Sequence, residues 1–279
     1  MPDIAFVNDV FMPLSEARVS VEDRGFQFGD GVYELLRVYA GVPYRLAEHL
    51  ARLDRSATAL GIPLPSSRER WAALVSEAVA RSGYPEAKVY IQVTRGAGPR
   101  EHILSGPLTP TVVMTVRAMV SPDAALYANG VSVVTTPDIR WARCDIKSVC
   151  LVANVLAKQQ ARNAGAFESL FVRDGYVLEG ATSNVMIVKG GSIVTPPEGP
   201  WLLSGVTRQV TLALAKSAGI PMKEQSVPEA ELFASDEVFL TGTTIEVLPV
   251  VRVDGHRIGT GAPGSVTGLL MGRFGQTHA

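Results

Sequence analysis

Four stretches of the chain alternate apolar and polar residues on both sides of a tight turn. RVYAGVPY, FVRDGYVL, MIVKGGSIV and VRVDGHRI each set AG, DG or GG between apolar runs, the pairing that marks a hairpin. Antiparallel sheet is therefore expected to be abundant. Elsewhere the apolar period lengthens. Leu46, Leu50, Leu53, Ala57 and Leu60 recur at helical spacing, and Gly61 and Pro63 stop the pattern. A second helix is predicted from about Ser67 to Ser82, opened by a Ser66 to Glu69 capping box and closed by Gly83. Others are predicted near Val149 to Ala164, Val206 to Ala218, Pro228 to Ala234 and Ser265 to Phe274. The class is α+β. The stretch VSPDAALYANG, residues 120–130, lacks strong periodicity and is read as the connection between a smaller N-terminal α+β domain, 1–120, and a hairpin-rich C-terminal domain, 121–279, that carries Lys147.

Composition narrows the class of partner. The chain has 279 residues and 47% hydrophobic content, enough for a full core without staples. A net charge of −1 offers no basic face to nucleic acid, so an anion must be held by local design. Small molecules are the expected partners. The two cysteines, Cys144 and Cys150, form neither a disulfide framework nor a metal spacing, and the four histidines are too scattered for zinc. No metal site is expected. No basic segment precedes an apolar one at the amino terminus and no apolar run approaches a membrane span, so a cytoplasmic protein with no membrane contact is expected.

Candidate chemistry centres on CDIKSVCLVANV. The residues four before and four after Lys147 are Arg143 and Leu151, so it has no helical ion-pair partner, and it stands where an apolar stretch begins. A solvated loop lysine is the bland alternative. In DGYVLEGATSNV, Glu179 ends a strand and can hold a protonated ring nitrogen. In LLSGVTRQV, Ser204, Gly205, Val206 and Thr207 open a helix whose free N–H groups suit a phosphate, and Thr243 in FLTGTTIE can add a hydroxyl. Arg52 is a further phosphate candidate. The loop TRGAGPREH sets Arg95, Arg100 and His102 among glycines and prolines, where it can offer a guanidinium fork and an imidazole to a carboxylate. One cofactor accounts for a lysine, a strand-end carboxylate and N–H-rich turns together: pyridoxal 5'-phosphate.

At this point the chain resembles a known family. EDRGFQFGDGVYE, YIQVTRGAGPREH, DIRWARCDIKS, EGATSNV and LSGVTR, in that order along nearly the whole chain, are similar to the signatures of fold-type IV pyridoxal phosphate enzymes, and most similar to those acting on D-amino acids. The resemblance implies a two-domain fold-type IV architecture. It implies a Schiff base on Lys147, Glu179 at the pyridine nitrogen, Leu203 against the ring, and a phosphate cup of Arg52, Val206, Thr207 and Thr243. Tyr33, Arg100 and His102 match the residues that hold the substrate carboxylate, and the loop bearing Arg100 and His102 is supplied in that family by a second subunit, which implies a homodimer. The reaction implied is transfer of an amino group from a D-amino acid such as D-alanine to a 2-oxo acid such as 2-oxoglutarate. A branched-chain L-amino-acid aminotransferase or an aminodeoxychorismate lyase is the alternative on the same fold, and a protein that binds without turnover is a third. One departure is Gly242, where the D-specific pattern has serine; Trp201 sits in a pocket loop that matches no carried-over pattern.

Overall fold

The computed structural model describes residues 3–278. Contacts divide it into two compact units: one runs up to Val120 and takes in Ile146–Cys150, and the other comprises Ser121–Asp145 and the chain from Leu151 onward.

The first unit contains, in order, β1 (Ile4–Val7), β2 (Val10–Pro13), α1 (Arg24–Phe28), β3 (Gly31–Tyr39), β4 (Val42–Pro43), α2 (Leu46–Leu60), α3 (Arg68–Ser82), β5 (Ala87–Thr94) and β6 (Thr111–Ala118). The strands form an antiparallel sheet in the order β2-β1-β6-β5-β3-β4. Helix α2 has the limits its leucine stripe predicts; it buries Leu50, Leu53 and Ala57, and Gly61 ends it at φ 63°. Helix α3 buries Trp71, Leu74 and Val75 in the same core. Its cap differs from the expected one. Ser67, not Ser66, is extended and accepts from Arg70 N at 3.3 Å, because Ser66 stands one residue too early. The β1–β2 hairpin has no apolar alternation strong enough to flag it, but Asn8 and Asp9 carry positive φ, 44° and 73°, the local chemistry of a two-residue hairpin turn.

Lys147 is not with the C-terminal residues, where the sequence reading put it. Tyr33 N donates to Lys147 O at 3.0 Å, Val149 N donates to Gly31 O at 3.0 Å, and Lys147 N donates to Ser56 Oγ at 3.1 Å. Val32 and Ser148 form an isolated antiparallel bridge. Backbone pairing to β3, invisible in any local pattern, binds this strip to the first unit.

The second unit contains α4 (Ala124–Asn129), β7 (Val131–Pro137), α5 (Val152–Asn163), β8 (Glu168–Arg173), β9 (Tyr176–Gly180), β10 (Asn184–Lys189), β11 (Ser192–Thr195), α6 (Val206–Ser217), β12 (Met222–Glu224), β13 (Val227–Pro228), α7 (Glu229–Phe233), β14 (Glu237–Gly242), β15 (Glu246–Val253), β16 (His256–Arg257) and α8 (Ser265–Gly275). The sheet order is β12-β11-β10-β14-β15-β7-β8-β9-β13, with β16 on β15. The segment read as a plain connection holds α4, which Asp123 caps by accepting from Ala125 N at 2.9 Å. Helix α5 starts at Val152 rather than Val149, since Ser148 and Val149 are spent on pairing with β3. It buries only Ala157 and Ala161, while Val152, Val155 and Leu156 are 74%, 64% and 56% exposed. That leaves an apolar stripe facing outward. Among the described residues no helix is long and apolar enough to cross a membrane.

Candidate active site

In the first unit the Lys147 side chain is half-buried. Its Nζ lies 3.4 Å from the Tyr33 hydroxyl and 4.4 Å from the centroid of the Tyr33 ring. Strand β3 delivers Tyr33, and the backbone bond to Lys147 described above fixes the two relative to each other. Tyr33 in turn lies 5.6 Å from Tyr90, ring to ring. The Tyr90 hydroxyl, pushed up to about 12 by burial and by Tyr33, stays neutral and donates to Gln92 Oε1 at 2.6 Å.

On the same strand, Glu34 is fully buried and binds two side chains that α2 places three residues apart on one face. Arg52 grips it with Nε to Oε1 at 2.7 Å and Nη2 to Oε2 at 3.0 Å, and His49 Nδ1 lies 2.7 Å from Oε2. One edge of the Arg52 guanidinium is therefore committed to Glu34. The spacing EHLAR opposite Glu34, the one acid in GVYELLRVY, is the signal from which this cluster was legible, although only Arg52 is a candidate from the sequence.

This cluster has a pH consequence. Burial pushes the Glu34 carboxyl up, but the Arg52 charge and the hydrogen bonds from His49 and Arg52 prevail and hold it at about 2. His49 is held below the ordinary imidazole value, chiefly by burial. Both groups bind protons more weakly folded than unfolded, so both stabilise the fold at neutral pH and lose that effect as pH falls. Glu34 accounts for roughly 3 kcal/mol, lost between about 4.5 and about 2; the His49 share begins to go below 6.5. Urea unfolding midpoints are expected to fall steadily from neutral pH into acid, and Glu34→Gln is expected to flatten the acid limb at a cost in neutral stability. An acid limb as steep in Glu34→Gln as in the parent would assign the loss to other groups.

The loop after β5 carries Arg100 and His102, both exposed. The Arg100 guanidinium lies 5.1 Å, and the His102 ring 5.4 Å, from the centroid of one aromatic ring, Phe28.

In the second unit Glu179, at the end of β9, is 5% exposed and enclosed by donors. Arg140 Nη1 donates to Oε1; Asn184 Nδ2 at 3.1 Å and Leu203 N at 3.2 Å donate to Oε2. Asn184 also donates to Leu203 O at 3.0 Å, so one amide holds both the carboxylate and the chain that leads to α6. A Cβ on Gly205 would stand 2.0 Å from Asn184 Oδ1, which is why glycine precedes this helix. Arg140 itself is clamped by Asp138, with Nε to Oδ1 at 2.9 Å and Nη2 to Oδ2 at 3.1 Å, and lies over Phe171 at 4.1 Å. Burial opposes its charge, but Asp138 and Glu179 outweigh burial and make the guanidinium still harder to deprotonate. Arg173 bonds Asp138 Oδ2 at 3.2 Å and stacks at 3.7 Å on Trp201, so Trp201 serves here as the lid of an ion-pair network. Cys144, pushed up to about 11 mainly by burial, remains a neutral thiol. Asp138 and Arg140 both lie in DIRWARCDIKS, where no local pattern gives either a role.

Helix α6 opens at Val206 after Gly205 with no side-chain cap, which leaves the first N–H groups, Val206 and Thr207 included, for another acceptor. Thr207 is buried, and its carbonyl accepts from Thr211 Oγ1 at 2.8 Å. Thr243 lies in the turn from β14 to β15, directly after Gly242. A Cβ at Gly242 would come 3.1 Å from Ile245 Cγ1, so a serine there requires Ile245 to move. Thr241 Oγ1 is buried with no hydrogen-bond partner.

The chain matches a family model for amino-transferase class IV over residues 31–253. It belongs to the class IV aminotransferases. Fold-type IV aminotransferases are two-domain α+β proteins, and the two sheets with their helices conform to that architecture. The chain is 45% identical over 260 residues to the D-alanine aminotransferase of Bacillus licheniformis, covering 93% of this chain and 92% of that one. It is 40% identical over 270 residues to the D-alanine aminotransferase of Listeria innocua, covering 96% and 93%. Among solved structures, the branched-chain amino acid aminotransferase of Escherichia coli superposes with a TM-score of 0.93 at 26% identity, covering 100% of this chain and 95% of that one. A fold IV transaminase of Curtobacterium pusillum gives a TM-score of 0.83 at 26% identity, covering 97% and 98%. This aminotransferase thus shares its backbone with branched-chain enzymes and more of its sequence with D-alanine enzymes.

Proposed function

We propose that this aminotransferase uses pyridoxal 5'-phosphate to move an amino group from a D-amino acid, such as D-alanine, to a 2-oxo acid. The observation that carries the reading is 45% identity to a D-alanine aminotransferase over nearly the full length of both chains. The branched-chain reading rests on backbone likeness at 26% identity, and related folds carry different substrates.

The donor set fits the cofactor. Glu179 is a carboxylate that Arg140, Asn184 and Leu203 favour in its charged form, as a partner for a protonated pyridine nitrogen must be. The uncapped start of α6 offers Val206 and Thr207 N–H groups to a phosphate, with Thr243 and Arg52 as further donors and Leu203 as an apolar contact for the ring. When bound, the cofactor supplies an electron sink for the negative charge left on the substrate α-carbon.

The residues do the rest. Lys147 Nζ holds the cofactor and then, unprotonated, takes the proton from the α-carbon. The Tyr33 hydroxyl, 3.4 Å from Nζ, orients that amine. Arg100 and His102, with Tyr33, bind the α-carboxylate. A fixed carboxylate and a fixed base leave one hand of amino acid able to present its α-hydrogen to Lys147, so the reading ties handedness to Arg100 and His102. The outward stripe of Val152, Val155 and Leu156 supports a homodimer, because a monomer gains nothing by exposing it.

The test is to add D-alanine and L-alanine separately to protein loaded with pyridoxal phosphate, without any 2-oxo acid. The visible band is expected to fade with D-alanine alone and to return on adding 2-oxoglutarate. Faster fading with L-leucine would replace the D-specific reading by the branched-chain one.

A further inference from the structure

The segment from Pro99 to His102 raises a geometric question. Residues two apart in an extended strand point the same way but stand apart along it, and exposed arginine and histidine side chains are free to rotate. Here both settle on Phe28, Arg100 at 5.1 Å and His102 at 5.4 Å with the rings tilted by 52°. A tight reversal, Glu101 N to Pro99 O at 2.7 Å, turns the chain between them.

The peptide between the two is gripped separately. Arg24 is 6% exposed, lies 4.7 Å from the same Phe28 ring, and donates Nη1 to Glu101 O at 2.6 Å. Its Nε donates to Asp30 Oδ2 at 2.9 Å. Asp30 also accepts from Arg95, Nε at 2.8 Å and Nη2 at 3.0 Å, and Arg95 in turn donates to Leu60 O at 2.7 Å and Gly61 O at 2.9 Å, at the end of α2. The backbone is laced as well: Arg24 N donates to Gly96 O at 2.9 Å, and Gly98 N donates to Glu22 O at 3.1 Å. A chain of charged contacts therefore runs from a long helix to one carbonyl that lies between the exposed side chains of Arg100 and His102. Of these groups only Arg95 is a carboxylate candidate from the sequence, and its bonds to Asp30, Leu60 O and Gly61 O commit it elsewhere.

We propose that Phe28 is a specificity-determining platform. Its ring fixes the separation of Arg100 and His102 so that they bind one substrate carboxylate, and Arg24 is the positioning residue that holds their loop against it. The proposal rests on the reading that Arg100 and His102 take the carboxylate. The physical gain is preorganisation: an exposed arginine stacked on a ring gives up rotamer freedom before the carboxylate arrives, so less is lost on binding. Phe28 touches neither the carboxylate nor the reacting atoms. Its removal weakens carboxylate binding and leaves the chemistry at the amine alone.

The experiment compares Phe28→Leu, Phe28→Tyr and Arg100→Gln with the parent holoenzyme, using D-alanine in steady state and, in single turnover, ethylamine, an amine with no carboxylate. Phe28→Leu is expected to raise the KM for D-alanine about fivefold, keep kcat within about twofold, lower the preference for D- over L-alanine, and leave the ethylamine rate unchanged. Phe28→Tyr, which keeps the ring, is expected to restore the parent values. If Phe28→Leu accumulates poorly, Arg24→Lys, which keeps the charge and loses the fork to Glu101 O and Asp30, is expected to show the same rise in KM without loss of kcat. A KM unmoved by Phe28→Leu but raised by Arg100→Gln overturns the platform and leaves the carboxylate reading standing. Equal slowing of D-alanine and ethylamine overturns it in favour of a structural role for Phe28. A KM unmoved by Arg100→Gln removes the reading on which the platform rests.

Discussion

Lys147→Ala is expected to eliminate the visible band that pyridoxal phosphate acquires on the protein and to lower kcat by at least about 10⁴-fold. Tyr33 beside it offers a hydroxyl, and Tyr90 against the Tyr33 ring a phenol held at about 12, and neither can replace an amine as both attachment point and base. Lys147→Arg is the sharper control. It keeps charge and length, but a guanidinium does not give up its proton, so it is expected to be as inactive as the alanine variant. Far-ultraviolet circular dichroism and the urea midpoint should remain near the parent's, because the strip is held by its backbone to Tyr33, Gly31 and Ser56 rather than by the amine. Retained turnover in Lys147→Arg would sink the assignment. Full retention of ligand affinity with no turnover in the parent either would favour a protein that binds without reacting.

Arg140→Met is expected to cost the second unit about 3–5 kcal/mol. The guanidinium sits between two buried carboxylates: the Asp138 side chain has no exposure and that of Glu179 has 7%. Removing it leaves like charges facing each other, with Arg173 alone on Asp138. Repulsion and lost solvation both act in the same direction. Thermal unfolding is expected to drop by roughly 10 °C, and Arg140→Lys, which restores charge without the bidentate fork, to recover part of it. The double variant Arg140→Met with Glu179→Gln is expected to be more stable than Arg140→Met alone, since the second change removes one of the stranded charges. A loss under about 1 kcal/mol would mean that water replaces the guanidinium, contrary to its burial.

The two networks explain what could and could not be read from the chain. Hairpins at AG, DG and GG were legible because turn chemistry is local, and helix α2 was legible to the residue because its leucine stripe and Gly61 are sufficient to define it. The start of α5 was misplaced because Ser148 and Val149 pair with residues more than a hundred positions away. Arg140 escaped notice for the same reason: its partner Glu179 lies 39 residues on, and nothing in RWAR distinguishes a buried arginine from a solvated one. Arg52 was named for its chemistry, but Glu34 and His49, which lock one of its edges, were not. The ring under Arg100 and His102 is one of two phenylalanines in EDRGFQFGDGVYE, and nothing local sets it apart. Local periodicity carries elements; ion-pair partners need the tertiary fold.

The strip at Lys147 has a consequence for how this protein is made. Strand β3 is flanked by β5 on one side, and β4 reaches only its far end, at Val38 and Tyr39. At Gly31, Val32 and Tyr33 the other side is closed by residues 147–149. During synthesis the ribosome emits β3 long before that strip, so the nascent first unit carries an open strand edge until translation has passed Cys150. An edge left open is a template for wrong pairing. Transcripts truncated near Val120 should therefore yield a product that clumps, whereas chains that reach Cys150 carry the strip that closes the edge.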